Sequence, residues 1–543
     1  MEKNKIYAIL ILILMLALLL RVLPYATGYD NLIMGDTIRE YQETNFIIDN
    51  GYINYDFVYS KYPVLHLMMS ETSLLTGIDT DLLFRFLPQL IASFAVIIIF
   101  LLMNQKFNTK IALTSSFLFA TFGPNILWAM KPVRETIGLF MFPLLIYMYF
   151  KADKDKRYYI PLVLSSIVAL LAHHWTFWLL LIFLGIFLIF SENQNSILLY
   201  CLSIVIAFIY YYFTLSVVSS LFGSFFMLLL SIIAILTAFL FALYLARQLN
   251  IKFLVNQAKR FVKKLTQGEI FIFTSLLTLL IIFAFLLTQS SFVYTYSIFF
   301  LSSIFLLFFL SLIGFKDSLE SYPLTSLALL LVNCVYFILI VIGIITGYNY
   351  YDPGRFAEFL IYPNLLFASC GIFFLCSLAK SKEIKTMLYS GVLILFLVSA
   401  IFVYPTVYLG AEADSVRSYL QYIPDEGNEA LEWASENSAR IITDNTYVLA
   451  LFDLYPKNYT NYLGYVSEYD LLAAELYADV KIGSIGSKIY PEHIALIQSN
   501  DKVYSNGWAY LYTLSEDEYL SLYATNPYTW FWDSKRWKIK YLS

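Results

Sequence analysis

Charge is what this chain has least of. Only 14% of its 543 residues are Asp, Glu, Lys or Arg, whereas 60% are hydrophobic. That balance excludes a soluble globular protein and indicates a polytopic membrane protein. A strong net charge is also missing: the formal value of -4 offers no field for nucleic acid, and a basic block occurs in one segment alone. Cysteine is sparse. Cys201, Cys334, Cys370 and Cys376 all fall in apolar runs, so the polar C-terminal region has no Cys to build a disulfide framework or a Cys-based metal site. No small-residue cleavage site follows the first apolar run, 6–23, which reads as a retained helix rather than a removed signal peptide. Internal repeats and low-complexity linkers are lacking too.

Long apolar runs are abundant. They lie near 6–23, 82–103, 111–130, 136–150, 158–172, 175–190, 196–216, 225–246, 270–288, 296–314, 323–346, 357–378 and 386–405. The expectation is about thirteen transmembrane helices. With the N-terminus (Lys3, Lys5) inside, the inner loops collect most of the Lys and Arg. The outer loops before the tail keep only Arg39, Lys61, Lys131, Arg134 and Arg355, apart from Arg21 and Arg85 at helix ends. This basic bias predicts a cytoplasmic N-terminus in the cell membrane. The segment 247–269 is basic with an apolar stripe, which suits either an inner-leaflet helix or a stop-transfer loop. The boundary near 405 separates a membrane domain, 1–405, from a tail, 406–543, rich in Tyr, Asp and Glu. In the tail, 425–437 has a helical pattern, 439–444 reads as a buried strand, and 502–505 with 508–513 reads as a hairpin about Asn506-Gly507. A small extracytoplasmic α/β domain is expected.

The charges that do occur gather on the outer side. A long polar loop, 24–81, carries Asp36, Arg39, Glu40, Lys61 and His66. Asp36 is either a solvated residue beside a helix start, with Thr37 as N-cap and Glu40 completing a capping box, or a reactive carboxylate. Glu135 would orient an acceptor or hold a metal; a salt bridge to Arg134 is the alternative. Lys61, Arg85 and Arg355 map to the outer boundary, where cations suit a phosphate. Arg355 has the competing reading of a pair with Asp352 or Glu358. His173 and His174 close a span on the same side. Adjacent histidines on a helix point about 100° apart, so they do not make a simple two-ligand metal site. They read either as substrate-binding or as satisfied structural residues.

The ordering of these residues resembles the GT-C superfamily of polyprenyl-phosphate-sugar-dependent membrane glycosyltransferases, in its protein-mannosyltransferase and aminoarabinose-transferase branch of archaeal type. The first outer loop has an early Asp and ends in Lys61-Tyr62-Pro63-Val64-Leu65, where the family often has Lys-Pro-Pro-Leu. The next span opens with Phe84-Arg85-Phe86-Leu87-Pro88, similar to the family's Arg-Leu-Pro-Ser, and Arg134-Glu135 resembles the acidic second motif. The oligosaccharyltransferase signature W-W-D-x-G is absent; Trp530-Phe531-Trp532-Asp533-Ser534 lacks the glycine. The resemblance implies a GT-C-like helical bundle and an inverting sugar transfer. One carboxylate, Asp36, would deprotonate an acceptor hydroxyl opposite a phosphate leaving group. Glu135 would be the second carboxylate, and Lys61, Arg85 and Arg355 would hold the donor phosphate. Glu40, His66, Arg134, His173 and His174 would line the acceptor side. The expected partners are a polyprenyl-phosphate sugar and a protein, lipid or glycan acceptor, with a divalent metal left open as cofactor. The rivals are a lipid-sugar flippase or transporter, which needs mid-span ionisable residues and paired halves, and a surface-glycan polymerase or ligase, which usually places its large loop late.

Overall fold

The computed structural model describes residues 2–26, 35–53, 61–152, 154–189, 194–214, 260, 298–346, 358–408, 441–443, 468–473, 502–505 and 510–515. The helices are α1 (Lys3–Ala26), α2 (Gly35–Asn50), α3 (Val64–Thr76), α4 (Thr80–Lys106), α5 (Thr109–Thr121), α6 (Gly123–Met130), α7 (Arg134–Ala152), α8 (Tyr159–Ala172), α9 (His174–Ile189), α10 (Gln194–Thr214), α11 (Ile298–Ser321), α12 (Pro323–Thr346), α13 (Ile361–Leu378) and α14 (Lys382–Tyr408). Among the described residues, six helices are long and apolar enough to cross a membrane, or seven with one bent pair counted as a span. The protein is an integral membrane protein. The runs expected at 225–246 and 270–288 lie outside the described residues.

Two sequence expectations change here. The stretch 24–81 is not an extended loop, because α2 and α3 occupy much of it. α2 begins at Gly35, two residues before Thr37, so Thr37 lies in the first turn and not at the N-cap. The run 111–130 is likewise not one helix: α5 and α6 meet at an angle of 53°. The cause is local. Pro124, in the first turn of α6, has no N–H to give the carbonyl of Ala120, four residues back. The guanidinium of Arg21, fully buried at the end of α1, takes that place: its Nη1 donates to Ala120 O at 3.3 Å and to Ala17 O at 2.9 Å. A cation thus covers a carbonyl that the broken helix would leave bare.

By packing, the chain separates into two compact units. The first comprises Met1–Pro24 with Ile47–Val403, and the second Tyr25–Phe46 with Tyr404–Ser543. In the first unit α11 and α13 run very close, because both contact positions are glycine. A methyl on Gly314 would strike the backbone of Phe367 and Gly371, and one on Gly371 would strike that of Leu310. Small residues of this kind let membrane helices approach where no hydrophobic force drives them together. Polar pairs then fix the register. Asn364 and Asn333 exchange amide hydrogen bonds at 2.6 and 3.3 Å, Ser115 meets Ser369 at 2.9 Å, and Tyr362 donates to Leu139 O at 2.9 Å.

The second unit contains a four-stranded mixed sheet in the order β1-β2-β4-β3. β1 (Ile441–Thr443) lies parallel to β2 (Glu468–Ala473), which pairs antiparallel with β4 (Tyr510–Ser515). β3 (Lys502–Ser505) and β4 form the expected antiparallel hairpin, with an irregularity between Lys502 and Tyr504. β2 has no counterpart in the sequence reading, since Glu468-Tyr469-Asp470 offers too little apolar alternation. The expected helix at 425–437 lies outside the described residues.

Candidate active site

At one end of the first unit the starts of α7 and α9 come together. The turn before α7 is held by Thr136, whose backbone N–H donates to Val133 O at 2.9 Å and whose hydroxyl donates to Lys131 O. Glu135 is thereby fixed in the first turn of α7, where a carboxylate suits the positive end of the helix dipole. His173 is the extended residue between α8 and α9 (φ -158°, ψ 121°). Its Nδ1 receives the backbone N–H of Thr176 at 3.4 Å and lies 2.9 Å from the Thr176 hydroxyl. An Nδ1 that accepts leaves the imidazole proton on Nε2. Nε2 is 3.3 Å from Oε1 of Glu135, and both side chains are buried. The result is a carboxylate–imidazole pair in which the histidine also caps a helix.

Gly138 makes this meeting feasible. It sits one turn after Glu135, and a Cβ there would run into the Thr176 side chain. Glycine lets α9 come close enough for His173 to reach Glu135.

The Lys61-Tyr62-Pro63 corner packs onto the same end. The Tyr62 ring stacks on His174 with centroids 5.1 Å apart and planes 25° apart. The Arg134 guanidinium lies 5.1 Å from the Tyr62 ring centroid. Tyr210, near the end of α10, donates its hydroxyl to the carbonyl of Lys61. Burial pushes the Tyr62 phenol above its ordinary range, opposed in part by Arg134, so it is a neutral donor at physiological pH.

Five sequence-selected residues thus converge: Lys61, Arg134, Glu135, His173 and His174. Arg85 forms an ion pair with Asp81, one turn earlier in α4, at 2.6 Å. His66 is buried on α3 beside Leu65 and Met69. Asp36 and Glu40 lie on α2, in the part assigned to the second unit. Glu40 is buried and its carbonyl accepts from the Thr44 hydroxyl at 2.8 Å, while the side chain of Asp36 and all of Arg355 lie outside the described residues.

Sequence reasoning passed over several residues that build the site. Tyr62 stands in the Lys61–Leu65 motif only as a departure, and Thr176 carries no signal in the sequence. Asp79-Thr80-Asp81 is an Asp-x-Asp run at the end of the first polar stretch. It is spent locally: the Asp79 side chain accepts from Asp81 N–H at 2.8 Å, and Asp81 holds Arg85. Among the described residues, no group of three His, Cys, Asp or Glu side chains is arranged to hold a metal ion.

No family model and no curated protein matches the chain. Its fold is like that of solved membrane proteins. The apo oligosaccharyltransferase of Archaeoglobus fulgidus superposes with a TM-score of 0.52 at 15% identity, over 80% of this chain and 59% of that one. The same organism's AglB, in complex with an inhibitory peptide and a dolichol-phosphate, gives 0.47 at 17% identity, over 86% and 61%. ArnT of Cupriavidus metallidurans, bound to undecaprenyl phosphate, gives 0.45 at 10% identity, over 94% and 97%. The chain spans under two thirds of the length of the oligosaccharyltransferases it is similar to.

Proposed function

We propose that the protein is a membrane glycosyltransferase of the GT-C type that transfers a sugar from a polyprenyl-phosphate donor to an acceptor hydroxyl. The observation that carries this reading is the meeting of Glu135, His173, Arg134 and the Lys61-Tyr62 corner at one end of an oligosaccharyltransferase-like bundle. Sugar transfer from such a donor needs an acceptor proton removed and a leaving phosphate neutralised, and carboxylates beside cations supply both.

In the proposed reaction the acceptor oxygen attacks the anomeric carbon, and the carbon–phosphate-oxygen bond breaks on the opposite face. The electron pair leaves with the polyprenyl phosphate, and the acceptor proton passes to Asp36, giving inversion. Glu135, oriented by the Nε2–H of His173, serves as second carboxylate toward the acceptor. Lys61, Arg85 and Arg355 neutralise the phosphate, and Glu40, His66, Arg134, His173 and His174 line the acceptor side. A divalent metal would have Glu135 as one ligand. About thirteen spans, a cytoplasmic N-terminus, a membrane domain to residue 405 and an extracytoplasmic α/β tail that positions the acceptor belong to the same reading.

The test is sugar transfer by purified protein from a panel of polyprenyl-phosphate sugars, beside Asp36→Asn. Transfer by the wild type and none by the folded variant is the expected result. Transfer that survives Asp36→Asn moves the base to Glu135 or another residue. No transfer from any donor, with lipid scrambling across vesicles, would make the protein a flippase.

A further inference from the structure

Two buried phenols near the Lys61 corner have hydrogen-bonding capacity that no described residue uses. Tyr62 is 2% exposed and Tyr211 is fully buried, and among the described residues neither hydroxyl has a hydrogen-bond partner. They belong to different elements, Tyr62 to the segment before α3 and Tyr211 to the end of α10. Tyr210 links them: its ring lies 5.7 Å from that of Tyr211, and its hydroxyl donates to the carbonyl of Lys61, the residue before Tyr62. The surroundings hold them there. The Tyr62 ring contacts both His174 and Arg134, and Tyr211 packs against Trp178 and Tyr210 with ring centroids at 5.5 and 5.7 Å.

A buried hydroxyl without a protein partner is unfavourable until some acceptor reaches it. Two of them in one neighbourhood indicate a shared guest. Both are neutral O–H donors, and the Arg134 guanidinium lies over one of them. Donors and a cation together favour an oxyanion over a neutral acceptor.

We infer that Tyr62 and Tyr211 form a phosphate-binding subsite, in which the two phenol hydroxyls donate to oxygens of a phosphate ester beside Arg134 and Lys61. That the phosphate is carried by a polyprenyl lipid rests on the glycosyltransferase reading; the subsite itself rests on the two phenols. The tyrosine that interrupts the Lys-Pro sequence thereby acquires a role of its own as a donor set between the cation and the helix bundle.

The experiment is a binding titration on the purified full chain in nanodiscs, with a polyprenyl monophosphate and, separately, inorganic phosphate. Tyr62→Phe and Tyr211→Phe keep the rings and their stacking. Each is expected to weaken binding of the polyprenyl phosphate about tenfold, as loss of one hydrogen bond to a charged group does. Melting of the ligand-free protein is expected to stay level or rise, because a buried unmet hydroxyl has been removed. Tyr336→Phe, which removes a hydroxyl already bonded to Leu179 O, is the control and should leave binding unchanged.

Equal affinity in wild type and both variants overturns the subsite. So does a lowered melting temperature with binding unchanged, which would mean a structural water, and so does a wild type that binds neither probe. Tyrosine-dependent binding of inorganic phosphate without binding of the lipid keeps the subsite and removes its lipid source. Sugar transfer by the wild type, with unaltered affinity in the variants, leaves the glycosyltransferase reading standing and removes the subsite.

Discussion

Replacing Gly138 by alanine tests how the carboxylate–imidazole pair is built. In a helix interior this change ordinarily stabilises by about 0.8–1.0 kcal/mol. Here the new Cβ would lie 3.1 Å from Thr176 Cβ and 3.2 Å from its Cγ2, with the hydroxyl closer still. Overpacking of that kind costs about 1–3 kcal/mol, so the clash wins and Gly138→Ala should be destabilising by up to about 2 kcal/mol net. Gly391→Ala isolates the favourable half, since nothing lies within 4 Å of a Cβ there; it should be neutral or stabilising. Thr176→Ala alone loses the hydroxyl contact with His173 and should cost about 1 kcal/mol. Combined with Gly138→Ala it also removes two of the three obstacles, the hydroxyl and Cγ2, and leaves only Cβ at 3.1 Å. The double variant should therefore be more stable than the sum of the singles predicts by about 0.5 kcal/mol or more. Equilibrium unfolding in mixed micelles reads all four proteins. Additive losses, or a Gly138→Ala protein that gains as much as Gly391→Ala, would refute the claim that Gly138 sets the α7–α9 approach.

Three further outcomes follow from the packing and the pair. Gly314→Ala meets backbone rather than a side chain, so it should cost about 3 kcal/mol or abolish folded protein on size exclusion. Asn364→Ala removes both amide bonds to Asn333 and one to Leu360 O; a loss of about 1–3 kcal/mol is expected, and Asn333→Ala in that background should add little. Glu135→Gln can still accept from His173 but carries no charge. On the proposed function it should lower kcat by about 10²-fold while the melting curve stays in place, and an unchanged kcat would reduce Glu135 to a structural partner.

Much of the membrane region was legible because hydropathy is a long-range average that tolerates local error. The helices at α1, α4, α7 and α11 to α14 fall where the apolar runs do. What stayed illegible depends on single atoms. The α5–α6 break hangs on one missing N–H at Pro124, inside a run that is apolar on average over its whole length. The site was half legible for the same reason. Scarce charges at Lys61, Arg134, Glu135, His173 and His174 stand out against an apolar background, and they do meet. Tyr62, Tyr211 and Thr176 did not stand out, because a chain with 45 tyrosines hides two that matter. Gly138 could not be found by periodicity, since its contribution is a volume left empty for another helix. The tail was read by turn chemistry, which found the β3–β4 hairpin and missed β2, whose pairing comes from distant strands.

The contact between Arg21 and Ala120 joins residues 99 apart in the chain. Synthesis runs from the N-terminus, so α1 reaches the membrane long before α5 exists. Until then the guanidinium has the Ala17 carbonyl of its own helix as acceptor. The turn carrying Pro124 brings a second, so the contact that ties α1 to the bend forms only after α5 has been made.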